Sequence, residues 1–214
     1  MLEYLIFDLD ETIYPRSSGL MQAISARISQ YMVEKMGMPA ETVSDLRHEY
    51  WEKYGTTSRG LQILYHIDVD EYMQFVHDVP LGDYIGPDAA LDAALATLPQ
   101  RKVIFTNATA GHARAVLETV QVAHHFEATY DAFFVGNESK PAMGGYRRLL
   151  EALNVPAQAC LMVEDMARNL RPAKELGMTT VLVDPLPGSD TAGADYVIAR
   201  VADIGGVVKE VESQ

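Results

Sequence analysis

The sequence of 214 residues contains one cysteine, few basic residues and no long apolar run. A single cysteine excludes a disulfide framework within the chain, and Cys160 lies in an apolar run, which predicts a reduced and buried strand residue. No apolar stretch reaches the roughly 18 residues of a membrane span. The first apolar run ends in acidic residues and has no basic flank, which argues against a signal peptide. We therefore expect a cytoplasmic protein with no membrane partner.

Positive charge is scarce, with 17 Lys and Arg against 30 Asp and Glu and a formal net charge of −13. No cluster of basic residues is present to neutralise successive phosphates, so binding to a nucleic-acid polymer is not predicted. A small phosphorylated metabolite is compatible with this charge, because a bound metal ion reverses the field at one site. The length suffices for a core domain with an insert.

Short apolar runs separated by helical patterns predict an α/β fold. The predicted strands are Leu5–Phe7, Val103–Phe105, Ala132–Val135, Leu161–Val163, Val181–Val183 and Tyr196–Ile198. From Val103 onward, helices are predicted at Ala110–Gln121, Met143–Leu153 and Ala167–Leu176, the last of them ended by Gly177. This alternation is typical of a doubly wound, mostly parallel sheet with helices on both faces.

The interval between the first two strands is too long for one crossover. Apolar residues recur there at helical spacing, as in Leu20, Ile24 and Ile28, and again after Pro39. The pattern predicts an inserted α-helical cap domain over residues 15–87. The core domain is then formed by residues 1–14 and 88–214.

Polar residues that could bind a ligand or take part in a reaction follow four of the predicted strands. They are Asp8 and Asp10, then Thr106 and Asn107, then Lys140, and finally Glu164 and Asp165. Because the carboxyl ends of parallel strands meet in one crevice, these side chains are predicted to converge. Two carboxylates about 4 Å apart repel each other by about 4 kcal/mol at an effective dielectric of about 20. A fold that carries this cost indicates a bound cation or a reaction.

The residue types suggest phosphoryl transfer. A carboxylate can attack phosphorus, and Asp8 at the strand end is the candidate nucleophile. Asp10 is the candidate acid and base, two residues further on. The oxygen ligands Asp8, Asp10 and Asp165 favour Mg²⁺ over Zn²⁺, because histidine and cysteine ligands are not grouped with them.

The remaining motif residues have complementary predicted roles. Thr106, together with the amides of Asn107 and Ala108, is predicted to bind phosphate oxygens. Lys140 is predicted to bind phosphate and to neutralise charge on the nucleophile and the transferring group. Glu164 and Asn169 are predicted to lie beside the metal ligands.

In this order the motifs resemble the haloacid dehalogenase superfamily, which consists mostly of Mg²⁺-dependent phosphatases. Asp8 and Asp10 with Thr12, then Thr106, Lys140 and the pair Glu164 and Asp165, match its four motifs, and the insert matches the cap of one subclass. Dehalogenases of the superfamily lack the second aspartate, so Asp10 implies hydrolysis of phosphate esters. Asn169 stands where many relatives carry Asp, which implies somewhat weaker metal binding.

More narrowly, residues 7–15, 54–61 and 163–170 are similar to the pyrimidine 5′-nucleotidase-like branch. This similarity implies a pyrimidine nucleoside 5′-monophosphate as substrate, while phosphoglycolate and sugar phosphates stay open. Tyr54, Thr56 and Arg59 are candidates for substrate recognition, and a polar turn between cap helices is the alternative interpretation of that segment.

Two other classes are weighed against a phosphatase. A receiver-type signalling module also uses strand-end Asp, Thr and Lys, but its acids come in another order and the cap has no purpose in it. An inactive ligand-binding member is disfavoured because the motif residues are all present. The oligomeric state stays open. His112 is expected to be an ordinary surface or half-buried residue, and the adjacent His124 and His125 are expected to point in different directions.

Overall fold

One parallel sheet organises the computed structural model, which describes residues 1–136, 138–183, 188 and 190–213. The strands are β1 (Tyr4–Phe7), β2 (Arg101–Phe105), β3 (Ala128–Tyr130), β4 (Cys160–Glu164), β5 (Thr179–Val183) and β6 (Tyr196–Ile198). Their order across the sheet is β3-β2-β1-β4-β5-β6, and every pairing is parallel. The predicted α/β fold class is confirmed.

Helices fill the connections between these strands. They are α1 (Leu20–Gln30), α2 (Ala40–Tyr54), α3 (Thr57–Tyr65), α4 (Val69–His77), α5 (Ala89–Ala96), α6 (Ala110–Val120), α7 (Met143–Leu153), α8 (Ala167–Leu176) and α9 (Ile204–Glu212). Gly177 ends α8 with a φ of +95°, the left-handed conformation that glycine adopts without a steric penalty. Among the described residues, none of the helices has both the length and the apolar character that crossing a membrane requires.

The sheet is buried on both faces, as a parallel sheet covered by helices must be. Along β1, Leu5 and Phe7 pack into one apolar cluster, whereas Tyr4 and Ile6 pack into another on the opposite face. Cys160 is a free, fully buried residue of β4, as predicted.

Helices α1–α4 occupy the long interval between β1 and β2, and they share an apolar cluster of their own. It contains Tyr31, Met32, Val43, Tyr50, Leu61, Tyr72, Met73 and Val76. Two aromatic rings from different helices meet edge to face within it, Tyr31 and Tyr72, with ring centroids 5.0 Å apart. Other residues of the interval, Leu20, Ile24 and Ile85, pack into a cluster on the sheet, and the cap domain over residues 15–87 stays a prediction.

The third predicted strand, Ala132–Val135, is wrong. The strand lies earlier, at β3, and residues 132–136 form a turn. Asp131 causes this, because its Oδ1 accepts hydrogen bonds from the backbone N–H groups of Phe133 at 3.1 Å and Phe134 at 2.9 Å. An Asp side chain that binds the following amides closes a turn and competes with strand pairing. Lys140 therefore follows a turn and not the end of a strand.

Candidate active site

Strands β1 and β4 end side by side and bring three carboxylates together. Phe7 pairs with Val163, and the N–H of Asp8 donates to the Val163 carbonyl at 2.9 Å. One carboxylate oxygen from each of Asp8, Glu164 and Asp165 lies within 4.8 Å of the other two. This convergence of the first and fourth motifs follows from the register of the sheet.

Lys140 supplies a positive charge to this group. Its Nζ lies 2.6 Å from Asp8 Oδ1 and 2.9 Å from Glu164 Oε1, and the side chain is 1% exposed. Burial lowers the pKa of Lys140, but attraction to the two carboxylates outweighs burial and leaves the pKa raised. The lysine is therefore charged and directed at Asp8.

Asn107 fixes the backbone of Lys140. The Asn107 side chain donates through Nδ2 to the Lys140 carbonyl at 3.1 Å and accepts from the Lys140 N–H through Oδ1 at 2.8 Å. Both polar atoms of the Asn107 side chain are thus used in hydrogen bonds, so a bound phosphate would contact the backbone of this loop.

Both oxygens of Glu164 already have partners. Oε1 accepts from Lys140 and from Asn169 Nδ2, at 2.5 Å for the latter, and Oε2 accepts from the Met166 N–H at 2.7 Å. An ionised Asp in place of Asn169 would lack the donor for this bond. Glu164 is thus a member of the acidic group that binds Lys140, and Asn169 holds the Glu164 carboxylate.

The acidic group combines three carboxyl groups with two cationic partners, Lys140 and Arg16, so each carboxylate lies in a negative field. Burial raises the pKa of Asp8, and Glu164 adds to the effect while Lys140 opposes it. Burial and the neighbouring carboxylates likewise raise the pKa of Asp165, although Arg16 donates to it at 2.7 Å. Hard oxygen ligands in such a field fit a divalent cation. The structure does not place the Asp10 carboxylate in this group.

The Asp10 carboxylate is held by two residues outside the acidic group. Its Oδ1 accepts from the Tyr14 hydroxyl at 2.7 Å and lies 3.3 Å from His112 Nε2. Burial raises the pKa of Asp10, but the hydrogen bonds from His112 and Tyr14 outweigh burial and leave it lowered. His112 was expected to be an ordinary surface or half-buried residue, and this is wrong, because only 2% of its side chain is exposed. The signal was its place in the first turn of the helix after the Thr106 loop.

Thr106 follows β2 and is 1% exposed. Its N–H donates to the Tyr130 carbonyl at 3.0 Å, and its Oγ1 accepts from the Ala108 N–H at 3.0 Å. The Ala108 amide, predicted to bind phosphate, is therefore used within the loop. The hydroxyl hydrogen of Thr106 remains a donor for a phosphate oxygen.

A cavity of about 260 Å³ lies between the strand-end residues and the helical insert. Asp10, Asn107, Ala108, Met166 and Asn169 line it from the core side, and the insert contributes Met21, Ile24, Ile28, Arg47, Trp51, Gly55, Thr56, Thr57, Ser58, Tyr72, Met73, Val76 and His77. The catalytic candidate Asp10 thus faces side chains of the insert.

Only one of the three predicted recognition residues lines this cavity. Thr56 does, and its Oγ1 also caps α3 by accepting from the Arg59 N–H at 3.1 Å. The Arg59 side chain donates to Gln62 Oε1 at 2.5 Å, and Tyr54 is linked to Ser139 through its carbonyl at 3.1 Å. The arginine at the cavity is Arg47, which sequence reasoning missed.

The expectation that His124 and His125 point in different directions is wrong. Both lie in a short 3₁₀ turn, and their Nε2 atoms lie 3.1 Å and 2.8 Å from Asp92 Oδ1. A 3₁₀ turn advances differently from the α-helix on which the expectation was based.

The environment of His77 predicts that the free energy of unfolding depends on pH. Its ring stacks on His112 with centroids 4.1 Å apart, and burial together with His112 lowers the pKa of His77 from 6.5 to about 4. Between those pH values the unfolded chain binds a proton that the folded chain does not, so the free energy of unfolding falls as the pH falls, by on the order of 3 kcal/mol. We expect His77→Phe to flatten this dependence in urea unfolding between pH 7 and 4. An unchanged slope, or an equal effect of the exposed control His48→Phe, contradicts the assignment.

Known proteins resemble this chain over most of its length. The model of the haloacid dehalogenase-like hydrolase family matches residues 2–177. Phosphate metabolism protein 8 of Saccharomyces cerevisiae is 26% identical over 193 residues, which cover 82% of this chain, and the chain spans about 60% of the length of that relative.

Solved structures share the fold. CbbY from Rhodobacter sphaeroides in complex with phosphate is 19% identical with a TM-score of 0.67, and the match covers 96% of this chain and 97% of that one. A 2-haloacid dehalogenase from Pseudomonas syringae pv. tomato is 18% identical with a TM-score of 0.63, covering 98% and 99%. At such identities the structures establish the fold and leave the reaction to the site. Because the family model matches most of its length, this chain belongs to the haloacid dehalogenase-like hydrolases.

Proposed function

We propose that this hydrolase is an Mg²⁺-dependent phosphatase that cleaves small phosphomonoesters through an aspartyl-phosphate intermediate. The observation that carries the proposal is the pair of aspartates with different partners. Asp8 is bound to Lys140 at 2.6 Å, whereas Asp10 is held by Tyr14 and His112 and lines the cavity. Two carboxylates in unlike surroundings suit a nucleophile and an acid–base group.

The reaction then has two displacements. An oxygen of Asp8 attacks phosphorus, the bond from phosphorus to the ester oxygen breaks, and the leaving oxygen takes a proton from Asp10. Water next attacks the aspartyl-phosphate and gives a proton to Asp10, which frees phosphate and restores Asp8. Lys140 and Thr106 stabilise the charge on the phosphoryl oxygens.

Protonation of Asp10 depends on the substrate. The lowered pKa makes the carboxylate the resting form, which is the form that later accepts the proton of water. An incoming phosphate dianion places negative charge beside Asp10 and favours uptake of the proton that the leaving oxygen needs.

Asp8 and Asp165 would hold the metal ion, because both oxygens of Glu164 are engaged elsewhere. When bound, Mg²⁺ supplies positive charge that neutralises the phosphate and the acidic group. One or two carboxylates with water and phosphate oxygens are the usual Mg²⁺ ligands in phosphoryl-transfer sites.

Asp10 also bears on the choice between ester hydrolysis and dehalogenation, since a phosphatase and a dehalogenase both share this fold. A halide leaves as a stable anion and takes no proton, whereas an alkoxide needs one. A carboxyl group fixed beside the cavity by two hydrogen bonds is therefore useful for ester hydrolysis and not for dehalogenation.

For the substrate we propose a nucleoside 5′-monophosphate, with a pyrimidine base as the narrower choice. The cavity offers an aromatic and apolar wall that includes Trp51 and Met73, beside the hydroxyls of Thr57 and Ser58 and the guanidinium of Arg47. A flat base can pack on the wall and bind these polar groups. A sugar phosphate or phosphoglycolate would leave most of the apolar wall without a partner.

The test is phosphate release from UMP, CMP, AMP, phosphoglycolate and glucose 6-phosphate, with Mg²⁺ and with EDTA. We expect release only with Mg²⁺ and the highest kcat/KM with UMP or CMP. A preference for phosphoglycolate or glucose 6-phosphate would keep the reaction and overturn the nucleotide assignment. Equal release in EDTA would overturn the metal dependence, and no release from any ester would overturn the phosphatase.

The position of Arg47 at the cavity predicts that this residue recognises the substrate. Its terminal nitrogens donate to the Ser25 carbonyl at 2.8 Å, Ser29 Oγ at 2.7 Å and Ser25 Oγ at 2.6 Å, and within the described residues its Nε is buried without a partner. We expect Arg47→Met to lower kcat/KM for UMP by roughly 10- to 100-fold, as for loss of one charged hydrogen bond. The rate with 4-nitrophenyl phosphate should change far less.

Arg59→Met is the matched variant, since the sequence predicted Arg59 for this role. An unchanged thermal midpoint must accompany the loss in Arg47→Met. If Arg59→Met alone lowers kcat/KM for UMP, the recognition residue is Arg59 and the assignment to Arg47 fails.

A further inference from the structure

His112 has no role in the reaction as outlined, yet its environment is specialised. It lies in the first turn of α6, where its own N–H donates to Thr109 Oγ1 at 3.1 Å. Its side chain is 2% exposed and its Nε2 lies 3.3 Å from Asp10 Oδ1. A buried histidine beside a half-buried carboxylate has few other orientations available.

Both hydrogen bonds that the described residues make to the Asp10 carboxylate fall on the same oxygen. Tyr14 and His112 both contact Oδ1, from the chain just after β1 and from α6. Oδ1 is thereby fixed from two directions, and Oδ2 is the oxygen left to exchange a proton with a substrate. Removing one of the two partners frees the carboxylate to rotate about its bond to Cβ.

The ring of His112 is itself fixed from the insert. His77, the last residue of α4, stacks on it with ring centroids 4.1 Å apart and planes 15° from parallel. His77 lines the same cavity as Asp10. The acid–base candidate is therefore held by a histidine whose orientation depends on a residue of the insert.

We propose that His112 is a positioning residue that aims Asp10 at the leaving oxygen, with His77 fixing the His112 ring. The inference rests on the proposed function, because it takes Asp10 as the proton donor. His112 acts through a hydrogen bond to Asp10 and does not itself touch the reacting atoms.

Leaving groups of different basicity test this. The 5′-oxygen of UMP needs a proton to leave, whereas 4-nitrophenolate leaves without one. We expect His112→Ala to lower kcat/KM for UMP by about 100-fold, the lower end of what a positioned acid contributes. The loss with 4-nitrophenyl phosphate should stay within about 3-fold, and His112→Gln, whose amide can reach Oδ1, should restore part of the UMP rate. Equal losses on both esters, or none, would overturn the proposal.

Three further variants secure the interpretation. His112→Phe keeps a ring for His77 to stack on and should show the same selective loss if His112→Ala fails to fold. His125→Ala removes another half-buried histidine–aspartate contact, that of 2.8 Å to Asp92, and should affect neither ester. The double variant Asp10→Asn with His112→Ala should be no slower on UMP than Asp10→Asn alone, and additive losses would contradict action through Asp10.

The same set separates the two levels of inference. If Asp10→Asn lowers the UMP rate selectively and His112→Ala does not, the positioning role fails and the proposed function stands. If Asp10→Asn itself shows no dependence on the leaving group, Asp10 is not the acid, and both assignments fall.

Discussion

Replacing Asp8 with asparagine is expected to lower phosphate release by on the order of 10⁴-fold or more. An amide has almost the shape of the carboxylate but is not a nucleophile, so no aspartyl-phosphate can form. The amide oxygen can still accept from Lys140, which lies 2.6 Å from Asp8 Oδ1 in the native chain. The fold should therefore survive, and the loss should reside in kcat.

The measurement is the steady-state rate with the best ester of the panel, together with circular dichroism to confirm folding. Mass spectrometry after an acid quench should detect a phosphorylated native chain and no phosphorylated Asp8→Asn chain. Asp70→Asn, at an exposed carboxylate of α4, is the control and should keep the native rate. Turnover that survives in Asp8→Asn means that the nucleophile is another group.

Lys140→Met should lower both the free energy of unfolding and the rate of phosphate release. The methionine fills a similar volume but leaves Asp8 and Glu164 buried without their shared counter-charge. Breaking a buried ion pair by removing one partner costs about 3–5 kcal/mol of the free energy of unfolding. Phosphate release should fall by about 10³-fold or more, because a charge aimed at the transferring group is lost.

The pH dependence separates this effect from a simple packing defect. Without Lys140, the electrostatic attraction that lowers the pKa of Asp8 disappears, so Asp8 takes up a proton more readily. A protonated carboxyl group carries no unpaired charge, and the stability deficit of Lys140→Met should shrink between pH 8 and pH 5.

Lys102→Met is the matched control. Lys102 is 6% exposed, but its Nζ donates to the backbone carbonyls of Leu98 at 2.6 Å and Gln100 at 2.9 Å. Its replacement removes these hydrogen bonds but leaves no carboxylate without a counter-charge. We therefore expect a smaller loss in the free energy of unfolding, and one that does not change between pH 8 and pH 5. Urea unfolding of both variants at the two pH values measures this. Equal deficits with equal pH dependence would show that the charge on Lys140 is not what the fold requires.

The sequence predicted the sheet edge well because strand ends are local features. Asp8, Thr106, Glu164 and Asp165 directly follow buried apolar runs, and parallel pairing brings such ends together whatever the helices do. Lys140 was placed correctly at the site although its strand was not, because the turn after Asp131 still leads the chain back to the same edge.

The interior of the insert could not be predicted in this way. Helical spacing indicates which side of α2 is apolar, but Arg47 reaches the cavity because α2 packs on α1 at Ser25 and Ser29. Arg59 was among the candidates for substrate recognition, but a local hydrogen bond to Gln62 engages its side chain. His112 was undervalued for a related reason, since its partner Asp10 is 102 residues away in the chain.

The two hydrogen bonds between Asn107 and the backbone of Lys140 have a mechanical consequence. They join segments 33 residues apart, so the loop after Thr106 and the start of the turn at Lys140 move as one body. A phosphate bound by this loop, as proposed, would therefore be coupled to the position of the Lys140 backbone, and Asn107 is the side chain that provides this coupling.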